Sequence, residues 1–362
     1  MANKDLNNKI EDRKHEGIEV MLKEDTQSKN ATTLLEDVIL IHDALPEINF
    51  NEIDISTKFL NHKFSAPFII DAMTGGTKEA IKINGNLAAA AEELGIGMGV
   101  GSQRAGLISK DMVETYAITR KKTPSAFLIA NIGGAQLIED LNLTKVKDLI
   151  EMIKADAIAI HLNSLQEIIQ PEGEPNFKGV LEKISEISSD IGVPVIVKEI
   201  GCGLSREVAF KLEFAGASAL NVAGLGGTSW AAVEHFRAKK MKINEKADLG
   251  NLFWDWGIPT AASIIETKSA VKIPIIASGG IRSGIDIAKC ICLGASLVGT
   301  AKPLLFPSIK SSKDVVASIN KMLFELKVAM FVTGSGNLQE LSAARYIITG
   351  KLEKWISSLN VK

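Results

Sequence analysis

The chain is 362 residues long, 46% of them hydrophobic, with a formal net charge of -2. That length suits one large α/β barrel with additions, and the near-zero charge excludes a dedicated nucleic-acid binder, which needs a basic face to neutralise phosphates. Three cysteines, Cys202, Cys290 and Cys292, are too few for a disulfide framework or a four-ligand cysteine site.

Taken in chain order, residues 1 to about 33 are polar and expected to be partly mobile. They show no apolar leader, and no apolar run in the sequence is long enough to span a bilayer, so the chain reads as soluble and cytoplasmic. Short strands are expected over Asp37–Ile41 and Ile48–Ile55, which completes an accessory segment, 1–65. A rhythm of apolar runs and helix-patterned stretches then fills 66–305. The runs are Pro67–Asp71, Ile96–Val100, Phe127–Asn131, Ala157–His161, Val195–Lys198, Ala219–Val222, Ile275–Ser278 and Ser296–Gly299. Continuous rather than alternating runs predict parallel strands covered on both faces. Eight such units predict a closed (β/α)₈ TIM barrel in one domain. The connection from Ala223 to about Pro259 is long and carries Trp230, Trp254 and Trp256; a lid over the barrel mouth and a surface for subunit contacts are equally consistent with it. Residues 306–362 read as helices outside the barrel, with Phe324, Leu326, Val328 and Phe331 as core or interface.

The sharpest local pattern is Ser278-Gly-Gly-Ile-Arg-Ser-Gly284 after the seventh run. Gly279 and Gly280 allow close backbone approach, the following helix start offers N–H groups, and Arg282 adds a fixed charge. Gly294–Ala301 supplies the eighth strand and its loop, where barrels commonly bind phosphate. Gly226, Gly227 and Thr228 after the sixth run have the same permissive chemistry. Together they predict a phosphate held after the last two strands, an arrangement found in FMN and sugar-phosphate barrels, which points to a ligand class and not to a reaction.

Other run ends carry polar groups aimed at the same mouth. Lys198 suits the N1–C2=O edge of a flavin, where a cation stabilises the anionic reduced ring. Ser102 and Asn131 suit its polar edge, and Ala72, Met73 and Thr74 its face. From His161 the chain runs through Asn163, Gln166, Glu167 and Gln170 into a Pro-Glu-Gly turn ending at Glu174. His161 and Asn163 suit anionic oxygens, and Glu167 suits Mg²⁺. Taken alone, Glu167 reads as a solvated glutamate at a capped helix start.

With these motifs in hand, the sequence resembles the FMN-dependent type 2 isopentenyl diphosphate isomerases of the archaeal kind, from Arg13-Lys14 to the C-terminal helices. Met73–Gly76, Gly101–Arg104, His161–Glu174, Val197–Glu199, Gly226–Thr228, Trp256–Ala262 and Ser278–Gly284 carry the resemblance. The stretch from His161 is specific to that family, whereas the glycine motifs are shared with other FMN barrels. The resemblance implies interconversion of isopentenyl and dimethylallyl diphosphates in isoprenoid biosynthesis, with reduced FMN, Mg²⁺ and NAD(P)H as electron source. It implies substrate contacts from Arg13, Lys14, Arg104, His161, Asn163 and Gln166, and a metal contact from Glu167. FMN contacts are implied for Thr74, Ser102, Asn131, Lys198, Thr228, Gly280, Arg282 and Ala301. Together with the apolar C-terminal helices it also implies a homo-oligomer, a tetramer or larger. Two positions depart from the family pattern: Gly17 stands where a histidine is usual, and Asn221 where an aspartate often occurs.

Moving a double bond requires a proton to add at the terminal CH₂ and another to leave C2, through a transition state resembling a tertiary carbocation. An anionic reduced flavin offers negative charge under that cation and a ring nitrogen that carries a proton. Gln166 is a weak acid or base alone, so its expected catalytic part is to orient the alkene or relay a proton. The competing expectation is an FMN-dependent oxidoreductase of a hydroxy acid or nucleotide. Such an enzyme needs a base, typically a histidine near the end of the barrel, or a nucleophilic cysteine. Of five histidines only His161 falls at a strand end.

Overall fold

The computed structural model describes residues 2–139 and 141–359. Eight parallel strands close into a barrel: β1 (Phe68–Ile70), β2 (Gly97–Gly99), β3 (Leu128–Gly133), β4 (Ala157–His161), β5 (Val195–Lys198), β6 (Ala219–Asn221), β7 (Ile275–Ala277) and β8 (Leu297–Thr300). Each lies on an expected run. Closure is made by β8 on β1, with Gly299 opposite Ile69. The continuous apolar runs follow from two separate buried faces. Ile158, Ile160, Val195 and Val197 pack outward against the helices, while Ala157, Ala159 and Ile196 point into the barrel.

The barrel's N-terminal end is plugged by an antiparallel hairpin, Thr57–Phe59 with His62–Phe64. Phe59 and Phe64 pack edge to face, centroids 6.1 Å apart, among the first inward residues of the strands. Its two-residue turn places Leu60 at φ 46° and Asn61 at φ 67°, the positive-φ pair a tight hairpin needs. The hairpin was not anticipated, because neither residue is a glycine and the segment does not alternate cleanly. With one end plugged, a ligand site is left to the C-terminal mouth.

The N-terminal segment holds a helix that its polar sequence did not announce. Ala2–Lys23 is a helix, with Ile18 and Val20 buried. Residues 24–33 then run as a strap across the mouth: Ser28 N–H donates to Gly227 O at 3.0 Å, and Thr26 O accepts from Ser229 N–H at 2.8 Å. Val38–Leu40 forms the expected strand and pairs antiparallel with Tyr346–Ile348. Ile48–Ile55 is not a strand. It holds a short 3₁₀ turn, Phe50–Glu52, started by Asn49 accepting from Asn51 N–H, so local side-chain bonding wins over the apolar pattern.

The long connection after β6 forms two helices, Trp230–Lys240 and Asn244–Leu252. The first lines the mouth as a fixed wall. Trp254 is buried and Trp256 exposed. In the C-terminal helix Ser312–Phe331, Leu326 is fully buried, whereas Phe324 and Val328 are exposed.

Candidate active site

At the C-terminal mouth lies a cavity of about 230 Å³. Of the residues predicted for the site, Gly226 and Gly227 do not line it, and the following do: Arg13, Lys14, Ala72, Met73, Thr74, Ser102, Arg104, Asn131, His161, Asn163, Gln166, Glu167, Lys198, Thr228, Gly279, Gly280, Arg282 and Ala301. Positive charge gathers at two separate ends of it.

The first end is built from the loops after β7 and β8. Arg282 and Lys302 face each other there; burial and their mutual repulsion lower the pKa of Lys302, and burial lowers that of Arg282. Arg282 donates to Gln27 Oε1 and Lys302 to Thr26 Oγ1 at 2.8 Å, so the strap orients both cations, and its Asp25 partly opposes the lowering of the Lys302 pKa. Two cations side by side, Lys302 half-buried and Arg282 open to solvent, fit an anion. Two details correct the sequence picture of this end. The helix after β7, Gly284–Cys292, does not offer its first N–H groups to a ligand, because Ser283 and Asp286 form a capping box and Gly284 N–H donates to Glu325 at 2.8 Å. The helix start without a side-chain cap is the one after β8, Lys302–Lys310. The glycines are also needed for a different reason. A Cβ on Gly280 (φ +74°) would lie 2.4 Å from Thr33 Cγ2 and 2.6 Å from Gly226 O, so the residue is glycine because strap and loop close on it.

Between the two ends, strand termini interlock. Lys198 Nζ lies 3.7 Å from Asp71 Oδ1 and donates to Glu199 O at 2.9 Å. Asn221 donates to Asp71 Oδ2 at 3.1 Å and accepts from Ser278 Oγ at 2.7 Å. An aspartate at 221 would set a second carboxylate against Asp71, whereas the amide satisfies both neighbours.

His161 Nδ1 lies 2.8 Å from Asn131 Oδ1. Asn131 Nδ2 donates to Val100 O, which leaves its Oδ1 as acceptor. The imidazole therefore carries its hydrogen on Nδ1 and presents the Nε2 lone pair. Burial, and then Lys198, Lys14 and Arg13, depress its pKa to about 3.

The second cationic end holds Arg13, Lys14 and Arg104. Lys14 Nζ donates to Ser102 O and to Tyr116 OH at 2.7 Å, and burial together with Arg13 holds its pKa well below the usual lysine value. Arg104 is gripped at both Nη atoms by Glu174. Asn163 spends its N–H groups on Gln166 Oε1 (3.1 Å) and Glu167 Oε1 (2.8 Å), and its Oδ1 is buried with no partner among the described residues. The second Glu167 oxygen accepts from Glu174 N–H at 2.8 Å. No group of three or more His, Cys, Asp or Glu arranged to hold a metal occurs among the described residues. A divalent ion there needs oxygens from a ligand beside Glu167 and Asn163 Oδ1.

Sequence reasoning missed Asp71, Gln136, Glu234, Arg237 and Lys302 in this wall. Glu234, 2% exposed, accepts from Gln166 Nε2 at 2.9 Å, and burial raises its pKa. Arg237 ties Glu234 (2.6 Å), Glu172 (2.9 Å) and Glu16 (3.2 Å) together. Glu234 and Arg237 share a helix face with a buried, mostly alanine stripe. That spacing was the available signal.

The fold is a (β/α)₈ barrel with its cavity at the C-terminal mouth. The solved structure titled as a Pediococcus acidilactici putative lactate oxidase superimposes with a TM-score of 0.66 at 17% identity, over 96% of this chain and 94% of that one; this likeness speaks to the fold. The profile of the FMN-dependent dehydrogenase family matches residues 159–348. The isopentenyl-diphosphate delta-isomerase of Methanosarcina barkeri is 49% identical over 93% of this chain and 92% of its own. That of Sulfurisphaera tokodaii is 45% identical over 97% and 95%. The chain belongs to the isopentenyl-diphosphate delta-isomerases, within the FMN-dependent dehydrogenase type of barrel.

Proposed function

We propose that this protein interconverts isopentenyl and dimethylallyl diphosphates on reduced FMN, as an isomerase of isoprenoid biosynthesis. The observation that carries the reading is one cavity with two cationic ends, fit for two phosphate-bearing molecules laid against each other. Arg282, Lys302, Thr228, Ala301 and the Gly279–Gly280 turn hold the FMN phosphate. Ala72, Met73, Thr74, Ser102, Asn131 and Lys198 surround the ring. Reduced FMN supplies negative charge beneath the cationic transition state and a ring nitrogen for proton transfer.

The chain's own residues do the rest. Arg13, Lys14 and Arg104 anchor the diphosphate, remote from the reacting carbons, so binding energy is used for positioning. His161 stays neutral beside them until the substrate's negative charge raises its affinity for a proton. Glu167 takes Mg²⁺ together with diphosphate oxygens, the arrangement Mg²⁺ favours. Gln166 turns its amide toward the alkene, with Glu234 fixing its orientation. NAD(P)H serves as reductant, and the protein works in the cytoplasm, consistent with three free cysteines. The exposed apolar groove of Ile39, Ile285, Phe324 and Val328 supports a homo-oligomer, a tetramer or larger.

Among the described residues His161 is the sole histidine at the cavity, and it presents a lone pair, which keeps an oxidoreductase base formally available. An anaerobic assay with isopentenyl diphosphate separates the readings. Dimethylallyl diphosphate should form with reduced FMN and not with oxidised FMN. Absence of product in both states would refute the isomerase. Glu167→Gln should lose activity in a way that raised Mg²⁺ partly restores, whereas Gln166→Ala should lower kcat and leave substrate affinity largely intact.

A further inference from the structure

Glu174 closes the loop that leaves β4, and it touches two parts of the substrate end by two different routes. Its carboxylate grips Arg104 end-on, Oε2 to Nη1 at 2.8 Å and Oε1 to Nη2 at 2.7 Å. Gln136 Nε2 adds a weaker bond to Oε2 at 3.3 Å. Its main-chain N–H holds Glu167 Oε2 at 2.8 Å. The loop is folded tightly, since a Cβ on Gly173 would lie 1.7 Å from the main-chain Glu167 O.

We propose that Glu174 is a positioning residue for substrate binding, acting on Arg104 through its side chain and on Glu167 through its backbone. This rests on the reading of Arg104 as a diphosphate contact. A guanidinium gripped across its two Nη atoms has its plane fixed. The rotamer freedom of a long arginine is then lost in the free enzyme rather than at binding, which favours affinity. The carboxylate also repels an incoming diphosphate, but its negative charge is already matched by Arg104, so orientation outweighs repulsion. The two routes separate under mutation, because every side-chain replacement keeps the N–H.

The test is steady-state kinetics of the holoenzyme with reduced FMN, isopentenyl diphosphate and Mg²⁺, on Glu174→Ala, Glu174→Gln, Arg104→Ala and the double variant Arg104→Ala/Glu174→Ala. Glu174→Ala should raise KM on the order of tenfold with kcat changed much less, as expected for lost ground-state binding. Glu174→Gln, which keeps one acceptor, should fall between. The Mg²⁺ concentration for half-activation and the FMN content should not move. In the Arg104→Ala background, removing Glu174 should add nothing. A lowered KM in Glu174→Ala would make Glu174 a competitor of the diphosphate and overturn the proposal. So would an unchanged KM in both Glu174 variants while Arg104→Ala raises it. If Arg104→Ala itself leaves KM unchanged, the assignment of Arg104 fails first and the proposal fails with it.

Discussion

The two cationic ends of the cavity are made by different means. At the end after β7 and β8, main chain meets main chain: the strap, the β6 loop and the Gly279–Gly280 turn approach so closely that a Cβ on Gly227 would lie 2.5 Å from Gly280 N. Its neighbouring helix is capped from within. At the other end, side chains hold side chains drawn from separate segments: Arg237 gathers Glu16, Glu172 and Glu234, and Glu174 grips Arg104. The first construction is set by backbone geometry and tolerates few residues. The second depends on a buried pair, Arg237 with Glu234, and on half-exposed carboxylates gathered around it, so losing Arg237 strands Glu234. A cofactor that stays and a substrate that exchanges suit these two constructions respectively.

The largest effect should come from Arg237→Met. Its side chain is 2% exposed, and its loss strands Glu234, equally buried, while also releasing Glu16 and Glu172. Breaking such a buried pair costs about 3–5 kcal/mol. Thermal denaturation should show a large fall in Tm with isomerase activity lost, while the folded protein keeps FMN by absorbance. Loss of FMN in parallel would show that the two ends are not independent.

The next effect concerns His161, which joins the ends. Its pKa is about 3 in the folded chain, against about 6.5 unfolded. Between these values the unfolded chain binds more protons, so the site's contribution to stability is complete above pH 6.5 and is lost as pH falls toward 3. Each unit of such a difference is worth about 1.4 kcal/mol. Urea unfolding at pH 7 and pH 4 should therefore show a smaller acid loss for His161→Gln than for the unaltered protein, and equal losses would contradict the buried neutral imidazole.

Arg282→Ala should come third, removing a charge-assisted contact of about 1.5–3 kcal/mol to the FMN phosphate. FMN titration should show weaker binding, with the Tm of the FMN-free protein little changed. Gly280→Val is the poorer probe, since its side chain would meet Thr33 and Gly226 before any phosphate. The smallest effect is at Gly17, in the helix Ala2–Lys23, where a Cβ meets nothing within 4 Å. Gly17→Ala should stabilise the helix by about 1 kcal/mol, and a Tm that falls instead would mean that the open wall at Gly17 is itself needed.

How far the sequence could be read follows the same division. All eight barrel strands were legible because each is a continuous apolar run bounded by turn residues. The β7–β8 end was legible because glycines and Arg282 are contiguous, although the helix caps were hidden in Ser283, Asp286 and Glu325. The substrate end was legible only where it lies on one stretch, His161–Glu174. Arg237 and Glu234 were not, because an arginine and a glutamate on a helix read as a solvated pair until tertiary packing buries them. The N-terminal helix was obscured in the same way, since few of its residues are apolar and Ile18 and Val20 find their contacts far along the chain.

The most direct test of the account is the number of turnovers per reducing equivalent. Substrate and product are isomers, so no net electrons are consumed. With FMN reduced once under strict anaerobiosis and isopentenyl diphosphate in large excess, many molecules of dimethylallyl diphosphate should form per flavin without further reductant. Product limited to one molecule per flavin reduced, or stoichiometric oxidation of NAD(P)H, would contradict the isomerase and favour an oxidoreductase on the same fold.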